Sequence, residues 1–207
     1  IPAEVCQQSK VAQQTLFLFL RRVWREECVP DELVLCVFVL IFKRKGSRDD
    51  CSKYRVIGLL NHSYKILSVC LLKRIVAECK GYLSDWQAGF RAGRGCRDNV
   101  LLLRVIYDNI IRGKTRCVVT FIDFAAAFDS VSHKYLDEAL RKAGASRKTR
   151  AMFRAIYAKA AGVARVQGVN GKIVMSKSFA VRRGVVQGDI ISPVFFILAL
   201  DQLEPFV

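Results

Sequence analysis

The sequence predicts an α+β fold, on three observations. Amphipathic stretches at helical spacing occur along most of its length; two short apolar runs, Leu33–Phe42 and Cys117–Phe124, read as buried strands; and Asn170-Gly171 sits between two alternating stretches as a hairpin signal. Strands, helices and a hairpin in this mixture belong to that class.

In chain order, Val11 to Arg25 places apolar residues at helical spacing, with Pro30 beyond as a stop. The run Leu33–Phe42 is Val-rich and bounded by Pro30 and Gly46, which predicts a buried strand. It ends in the basic turn Lys43-Arg44-Lys45-Gly46 and the polar stretch Ser47 to Lys53. A second strand, Tyr54 to Leu60, precedes a helix from about Ser63 to Cys79. Gly89, Gly93 and Gly95, interleaved with Arg91, Arg94 and Arg97, predict a basic flexible loop, and Asp98 is expected to cap a helix reaching Ile111. Cys117–Phe124 is the next strand, and Ser132 is expected to cap a helix from His133 to Ala143, followed by one over Lys148 to Ala160. Val163–Val169 and Lys172–Val181 form the arms of the hairpin, and a final helix starts near Ser192-Pro193. There is no internal repeat and no low-complexity segment.

The length, 207 residues, suffices for one sizeable core and is short for two. Hydrophobic residues make up 52% of the chain, which excludes a disordered linker. Yet 34 Lys and Arg stand against 18 Asp and Glu, a net +16, and a core-forming protein with that imbalance usually meets a polyanion, most often nucleic acid. The excess is spread, +9 over residues 1–115 and +7 over 116–207, which suggests a lined channel more than a basic arm. Eight cysteines include no Cys-x-x-Cys pair, and with only His62 and His133 no zinc pattern can be assembled. We read them as reduced core thiols of an intracellular protein. The longest apolar run has ten residues, about half a membrane span, so no membrane partner is expected. The start, Ile1-Pro2-Ala3-Glu4, carries no initiator Met, so we expect a piece of a longer chain.

Chemistry is concentrated in two segments. In Phe121-Ile122-Asp123-Phe124-Ala125-Ala126-Ala127-Phe128-Asp129-Ser130-Val131 a β-run delivers Asp123 where a strand hands over to a turn. A carboxylate so placed can hold a hard cation, which is most of what phosphoryl transfer asks of protein. The small residues Ala125, Ala126 and Ala127 would let a triphosphate approach the backbone amides, with Phe128 as a wall beside it. Alone, an aspartate after a strand is more often a helix cap or turn former. In Arg183-Gly184-Val185-Val186-Gln187-Gly188-Asp189-Ile190-Ile191-Ser192-Pro193 a glycine-flanked polar loop opens a helix and can present amides to a flat ligand, as many loop-to-helix junctions could.

In this order the two segments resemble the reverse transcriptase family, and the resemblance extends upstream. Lys43-Arg44-Lys45-Gly46 with Tyr54-Arg55-Val56-Ile57 and Leu59-Leu60 looks like the family's fingers motif. Gln87-Ala88-Gly89-Phe90-Arg91 with Gly93-Arg94-Gly95-Cys96 is similar to the Gln-x-Gly-Phe-Arg segment of non-LTR (LINE-type) elements. Asp123 to Val131 resembles the motif of the first catalytic aspartate, and Arg183 to Pro193 the Arg-Gly-x-x-Gln-Gly-Asp-x-x-Ser-Pro signature. The resemblance covers roughly residues 30 to 203. Group II intron maturases and telomerase are near relatives; the Ala-Phe-Asp-Ser-Val-Ser-His stretch and the Gly-Phe-Arg segment point to the retrotransposon branch.

The resemblance implies a right-hand polymerase: fingers with an N-terminal helix over 1–115, and a partial palm with an interleaved fingers segment over 116–207, without a thumb. It implies addition of deoxynucleotides to a primer 3′-OH by two-metal phosphoryl transfer, with Mg²⁺ as cofactor and RNA template, DNA primer and dNTP as partners. Asp123 would be the catalytic residue and, with the Phe124 carbonyl, a metal ligand. Ala126 and Ala127 would offer amides to the triphosphate, and Phe128 would act as the gate against a sugar 2′-hydroxyl. Arg55, with Lys43 or Lys45, would grip the triphosphate, as a guanidinium's bidentate geometry suits. Gln187 and Gly188 would position the nucleotide and the template base. Nuclear action would follow from target-primed integration.

The family also needs an aromatic-Ala-Asp-Asp hairpin after the Gln-Gly-Asp helix, and this sequence contains none. Asp49-Asp50 is expected to face solvent, and Asp129 matches a different family position. We therefore expect no polymerisation by these 207 residues, together with marginal solubility from an open sheet edge. The main rival is a non-catalytic nucleic-acid-binding relic; an unrelated basic structural protein leaves the ordered motifs unexplained. Arg147, Lys148, Arg150 and Arg154 could track a phosphate backbone or form an ordinary solvated helix face. His133 is read as starting a helix at the surface, His62 as a loop or helix-start residue, and Trp24 and Trp86 as packing residues rather than base-stacking platforms.

Overall fold

The computed structural model describes residues 3–113, 116–168 and 171–203. Its centre is a mixed sheet built on β1 (Leu35–Phe42). On one side β2 (Tyr54–Leu59) pairs antiparallel, from Val37 opposite Leu59 to Phe42 opposite Tyr54. On the other, β3 (Ala161–Gln167) runs parallel, from Leu35 opposite Ala161 to Val39 opposite Arg165. Two short strands share the far edge of β3: β4 (Ile173–Met175) beside Arg165 to Gln167, and β5 (Phe179–Ala180) beside Ala161 and Gly162. Gly162 is required there, because a Cβ would fall 2.2 Å from the Phe38 ring, which stacks on Phe179 at 5.8 Å.

Helices cover this sheet with apolar stripes. In α4 (His62–Glu78) the buried residues Tyr64, Leu67, Ser68, Leu71 and Ile75 recur at helical spacing. They meet Met152, Phe153, Ile156 and Tyr157 of α8 (Arg147–Lys159) and Leu136 and Leu140 of α7 (His133–Lys142), with Phe195 and Leu198 of α9 (Ser192–Asp201) in the same cluster. Each such large side chain contributes about 1.5–3 kcal/mol by leaving water. Ser132 and Ser146 cap α7 and α8 through the amides of Tyr135 and Thr149, as the hydroxyl preference for that position requires. Two more helices, α1 (Ala3–Gln8) and α2 (Lys10–Glu26), precede a single turn, α3 (Asp31–Val34).

Several expectations need correction. Leu33 and Val34 belong to α3, so the strand begins two residues later: the acids Asp31 and Glu32 after Pro30 favour a helical first turn. The helix α5 (Cys96–Gly113) starts before Asp98, whose carboxylate reaches back to the Gly95 amide at 2.9 Å from inside the first turn. Residues 116–124 form no strand: among the described residues nothing pairs with them, and a strand without a neighbour has no ladder. Val118 and Phe121 are 89% and 83% exposed there, and α5 buries no residue, so both segments present apolar side chains to solvent. Among the cysteines whose burial is described, Cys36 and Cys79 are buried, whereas Cys28, Cys51, Cys70, Cys96 and Cys117 are exposed, so those five are not core thiols.

The hairpin arms appear as β3 and β4. Asn170 and Val169 lie outside the described residues, and Gly171 has φ +72°, the conformation glycine adopts without a Cβ penalty. Trp24 packs, with Arg74 over its ring at 4.3 Å, but Trp86 is 66% exposed and is no packing residue. Arg150 and Arg154 are engaged by Asp137 at 2.8 and 3.2 Å, and Lys148 by Glu27 at 3.0 Å, so that basic row braces helices to one another.

Candidate active site

Three sequence segments distant from one another meet around two glycines. After the extended stretch 116–124, Ala126 takes φ +49° and opens a single helical turn, α6 (Ala127–Ser130). The loop 181–191 runs back against that turn: the Val185 amide donates to the Phe128 carbonyl at 2.8 Å, and the Gly184 amide to Val131 at 2.8 Å. Gly184 has φ +77°, and a Cβ would lie 2.6 Å from the Phe128 carbonyl oxygen, so no larger residue fits. Farther along, the Gly58 amide of β2 donates to the Gln187 carbonyl at 2.7 Å. The Gln187-Gly188 backbone is thus hydrogen-bonded to the strand that carries Arg55, three residues or about 10 Å away along β2.

The Phe128 ring is half-buried, stacked on Phe196 at 4.8 Å and edge-on to Phe90 at 6.2 Å. Phe90 itself holds φ +55°, rare for a bulky residue, and belongs to the Gln87–Arg91 segment. Below Phe128, Phe124, Ala127, Ser130, Tyr135, Phe196 and Leu203 line a recess of about 390 Å³. Asp123 is exposed and makes no hydrogen bond or ion pair among the described residues. Lys43 lies at the β1–β2 turn with its Nζ donating to the Ser52 carbonyl at 2.9 Å, while Lys45 and Arg55 are exposed. The structure therefore brings Phe128, Gln187 and Gly188 into one assembly, with Ala126 and Ala127 on its edge. It does not bring Asp123, Lys43 or Lys45 into contact with that loop.

Asp189 is the residue whose surroundings the sequence did not disclose. Only 4% exposed, it accepts from the Tyr64 hydroxyl at 2.7 Å and the Ser68 hydroxyl at 2.5 Å, both on α4. Burial, and then the Asp189 charge, hold the Tyr64 hydroxyl well above its ordinary range and push the Cys36 thiol up to about 12. A signal existed: Tyr64 and Ser68 put hydroxyls four residues apart on an otherwise apolar helix face, which asks for a buried acceptor. His133 begins α7 as expected but is half-buried, not at the surface: Nε2 donates to the Gly184 carbonyl at 2.9 Å and the ring lies 4.4 Å from Tyr157. Its pKa is lowered by burial, opposed by that bond. Asp49 and Asp50 are exposed as expected, the latter accepting from the Ser52 amide. Among the described residues no three His, Cys, Asp or Glu side chains gather as a metal site, and no helix is long and apolar enough to cross a membrane.

Comparison with known proteins supports the family resemblance. Residues 42–205 match the family described as Reverse transcriptase (RNA-dependent DNA polymerase). The chain is similar to the Retrovirus-related Pol polyprotein from type-2 retrotransposable element R2DM of Drosophila melanogaster, 32% identical over 56% of this chain and 11% of that protein. It is also similar to the Pol polyprotein from type-1 retrotransposable element R2 of Popillia japonica, 28% identical over 79% of this chain and 22% of that protein. A third match is the transposon TX1 149 kDa protein of Xenopus laevis, 26% identical over 81% of this chain and 12% of that protein. The chain thus spans a tenth to a fifth of the curated relatives it matches.

Proposed function

The chain belongs to the reverse transcriptase family, and from that membership we propose that it forms the nucleotide-adding part of an RNA-directed DNA polymerase of a non-LTR retrotransposon. The supporting observation is the loop 183–189, hydrogen-bonded at one end to the Phe128 turn and at the other to β2. Those hydrogen bonds join the Phe128 turn, the Gln187-Gly188 backbone and the strand that bears Arg55, which supports a common role for them.

In this reading Arg55, with Lys43 or Lys45, binds the triphosphate of the incoming dNTP. Ala126 and Ala127 present backbone amides to it, and Phe128, held by Phe90 and Phe196, crowds the sugar 2′ position. Gln187 and Gly188 orient the nucleotide against the RNA template base. Asp123 and the Phe124 carbonyl are hard oxygen donors that suit Mg²⁺ and would hold one side of a two-ion site. When bound there, Mg²⁺ would supply Lewis-acid stabilisation of the charge that phosphoryl transfer develops, with Asp123 and the Phe124 carbonyl as the groups of this chain that would hold it. Two ions need a further source of carboxylates, so these 207 residues alone are proposed not to polymerise. Target-primed integration would put the action in the nucleus.

Primer extension on an RNA template by the full-length protein tests this. Asp123→Asn is expected to lower incorporation by about 10³-fold or more, in line with removing a metal-holding group. Extension that survives Asp123→Asn overturns the reading. Absence of any extension by the natural protein, with RNA binding retained, favours the non-catalytic relic instead.

A further inference from the structure

We propose that Trp86 and Phe90, with Arg94 and Arg97, form a stacking platform for single-stranded RNA on the loop between α4 and α5. The proposal rests on the nucleic-acid reading above and adds a surface to it.

The backbone of this loop is fixed on several sides. Arg94 Nη2 meets Asp85 Oδ1 at 3.0 Å, the Asn99 side chain donates to the Trp86 carbonyl at 3.3 Å, and Arg91 donates to the Ser84 carbonyl at 2.6 Å. The Ser84 amide in turn donates to Asp201 of α9 at 3.1 Å. On that braced backbone the two aromatic rings stand out, Trp86 66% and Phe90 62% exposed. Among the described residues the Trp86 indole meets no other ring and no cation. An indole is the largest apolar side chain, and leaving it in water on a fixed backbone forfeits its burial free energy unless a ligand covers it.

Charge identifies the ligand. Residues 80–97 carry Lys80, Arg91, Arg94 and Arg97 against Asp85 alone, a net +3. Flat aromatic faces and planar guanidiniums interleaved with positive charge suit bases stacked along a phosphate backbone, whereas a duplex hides its base faces. Gly93 and Gly95 flank Arg94 with open space where a Cβ would stand, leaving the backbone approachable. Phe90 sits edge-on to Phe128 at 6.2 Å, so the platform abuts the proposed nucleotide site.

The chain has only two tryptophans, and Trp24 is packed under Arg74, so Trp emission reads the platform directly. The experiment titrates the chain with an oligouridine of about 12 nucleotides, within the span such sites cover, and follows emission and oligonucleotide anisotropy at fixed salt. Wild-type emission is expected to be quenched and Trp86→Leu emission not. The Leu variant should bind about tenfold more weakly, the size of one base–aromatic stack, with Trp86→Phe restoring affinity. Arg97→Glu, which leaves the indole intact, should also weaken binding. Circular dichroism establishes that the exposed-site variants fold. Oligouridine that binds with Trp86 emission and the Trp86→Leu affinity both unchanged overturns the platform and leaves the nucleic-acid reading standing. No binding of any oligonucleotide at low salt overturns both. Equal quenching by polyglutamate or by a matched RNA duplex overturns the single-strand assignment.

Discussion

Gly188 lies against Gly58 so closely that a Cβ on Gly188 would stand 2.5 Å from the Gly58 carbonyl oxygen. Gly188 also has φ +121°, a conformation that side chains rarely adopt, and the neighbour is backbone, which cannot swing aside. Gly188→Ala is therefore expected to destabilise the chain by about 1–3 kcal/mol, measured by urea denaturation. Under the proposed function, the same substitution in the full-length protein should raise the KM for dNTP. Unchanged stability would show that the loop and β2 are not in contact.

The Asp189 carboxylate with Tyr64 and Ser68 is a buried polar unit whose members lean on one another. Asp189→Leu strands two hydroxyls and should cost about 2–4 kcal/mol. Tyr64→Phe with Asp189→Asn should show a coupling of about 1 kcal/mol or more in a double-mutant cycle, since hydrogen bonds to a charged acceptor are the stronger kind. Additive effects would mean that the 2.7 Å contact contributes nothing.

Most of the helices and the inner strands were legible because their signals are local. Ser132 caps where hydroxyls cap, and the Leu35–Phe42 strand sits in a Val-rich run bounded by turn residues. What escaped depends on distant partners. Cys117–Phe124 carries the composition of a strand, but composition cannot supply the neighbour that a ladder needs, and none is present among the described residues. At the site, the motif residues were readable and their mutual placement was not. Nothing near Gln187 in sequence announces that its carbonyl meets Gly58, 129 residues away.

His133 makes stability depend on pH in one direction. Burial disfavours the imidazolium, so the folded pKa lies below the unfolded 6.5. The unfolded chain then binds the extra proton first, and stability present above pH about 6.5 is lost as pH falls toward the folded pKa. Relative to His133→Gln, wild-type stability should be flat near pH 7.5 and decline below 6.5. Denaturation midpoints at several pH values check this, and a parallel decline in both proteins would remove His133 as the cause.

Thiol labelling should divide the cysteines by burial. Cys36 and Cys79 are buried and their thiols are pushed up to about 12 and about 11, chiefly by burial. At pH 8 iodoacetamide should therefore modify Cys28, Cys51, Cys70, Cys96 and Cys117 long before those two, because the thiolate is the reacting form. Peptide mapping after graded exposure reads the order. Early modification of Cys36 would mean that the contact between β2 and loop 181–191 opens freely.

If Phe128 is the gate proposed above, Phe128→Val in the full-length protein should admit ribonucleotides, lowering discrimination against the 2′-hydroxyl by about 10–100-fold. Since Phe128 also stacks on Phe196 at 4.8 Å, some loss of stability should accompany it. Single-nucleotide incorporation with matched rNTP and dNTP measures the ratio. A ratio unchanged in a folded variant would assign the gate elsewhere.

The parallel pairing of β1 with β3 sets Leu35 beside Ala161. A ribosome delivering roughly 5–20 residues per second therefore needs about 6–25 s after the first of these strands before the second exists. During that interval β1 can hold β2 but must present its other edge to the cell, apolar and unsatisfied. An unpaired apolar edge of that kind is a template for pairing with another chain, so slower synthesis lengthens the time for which β1 is open to it.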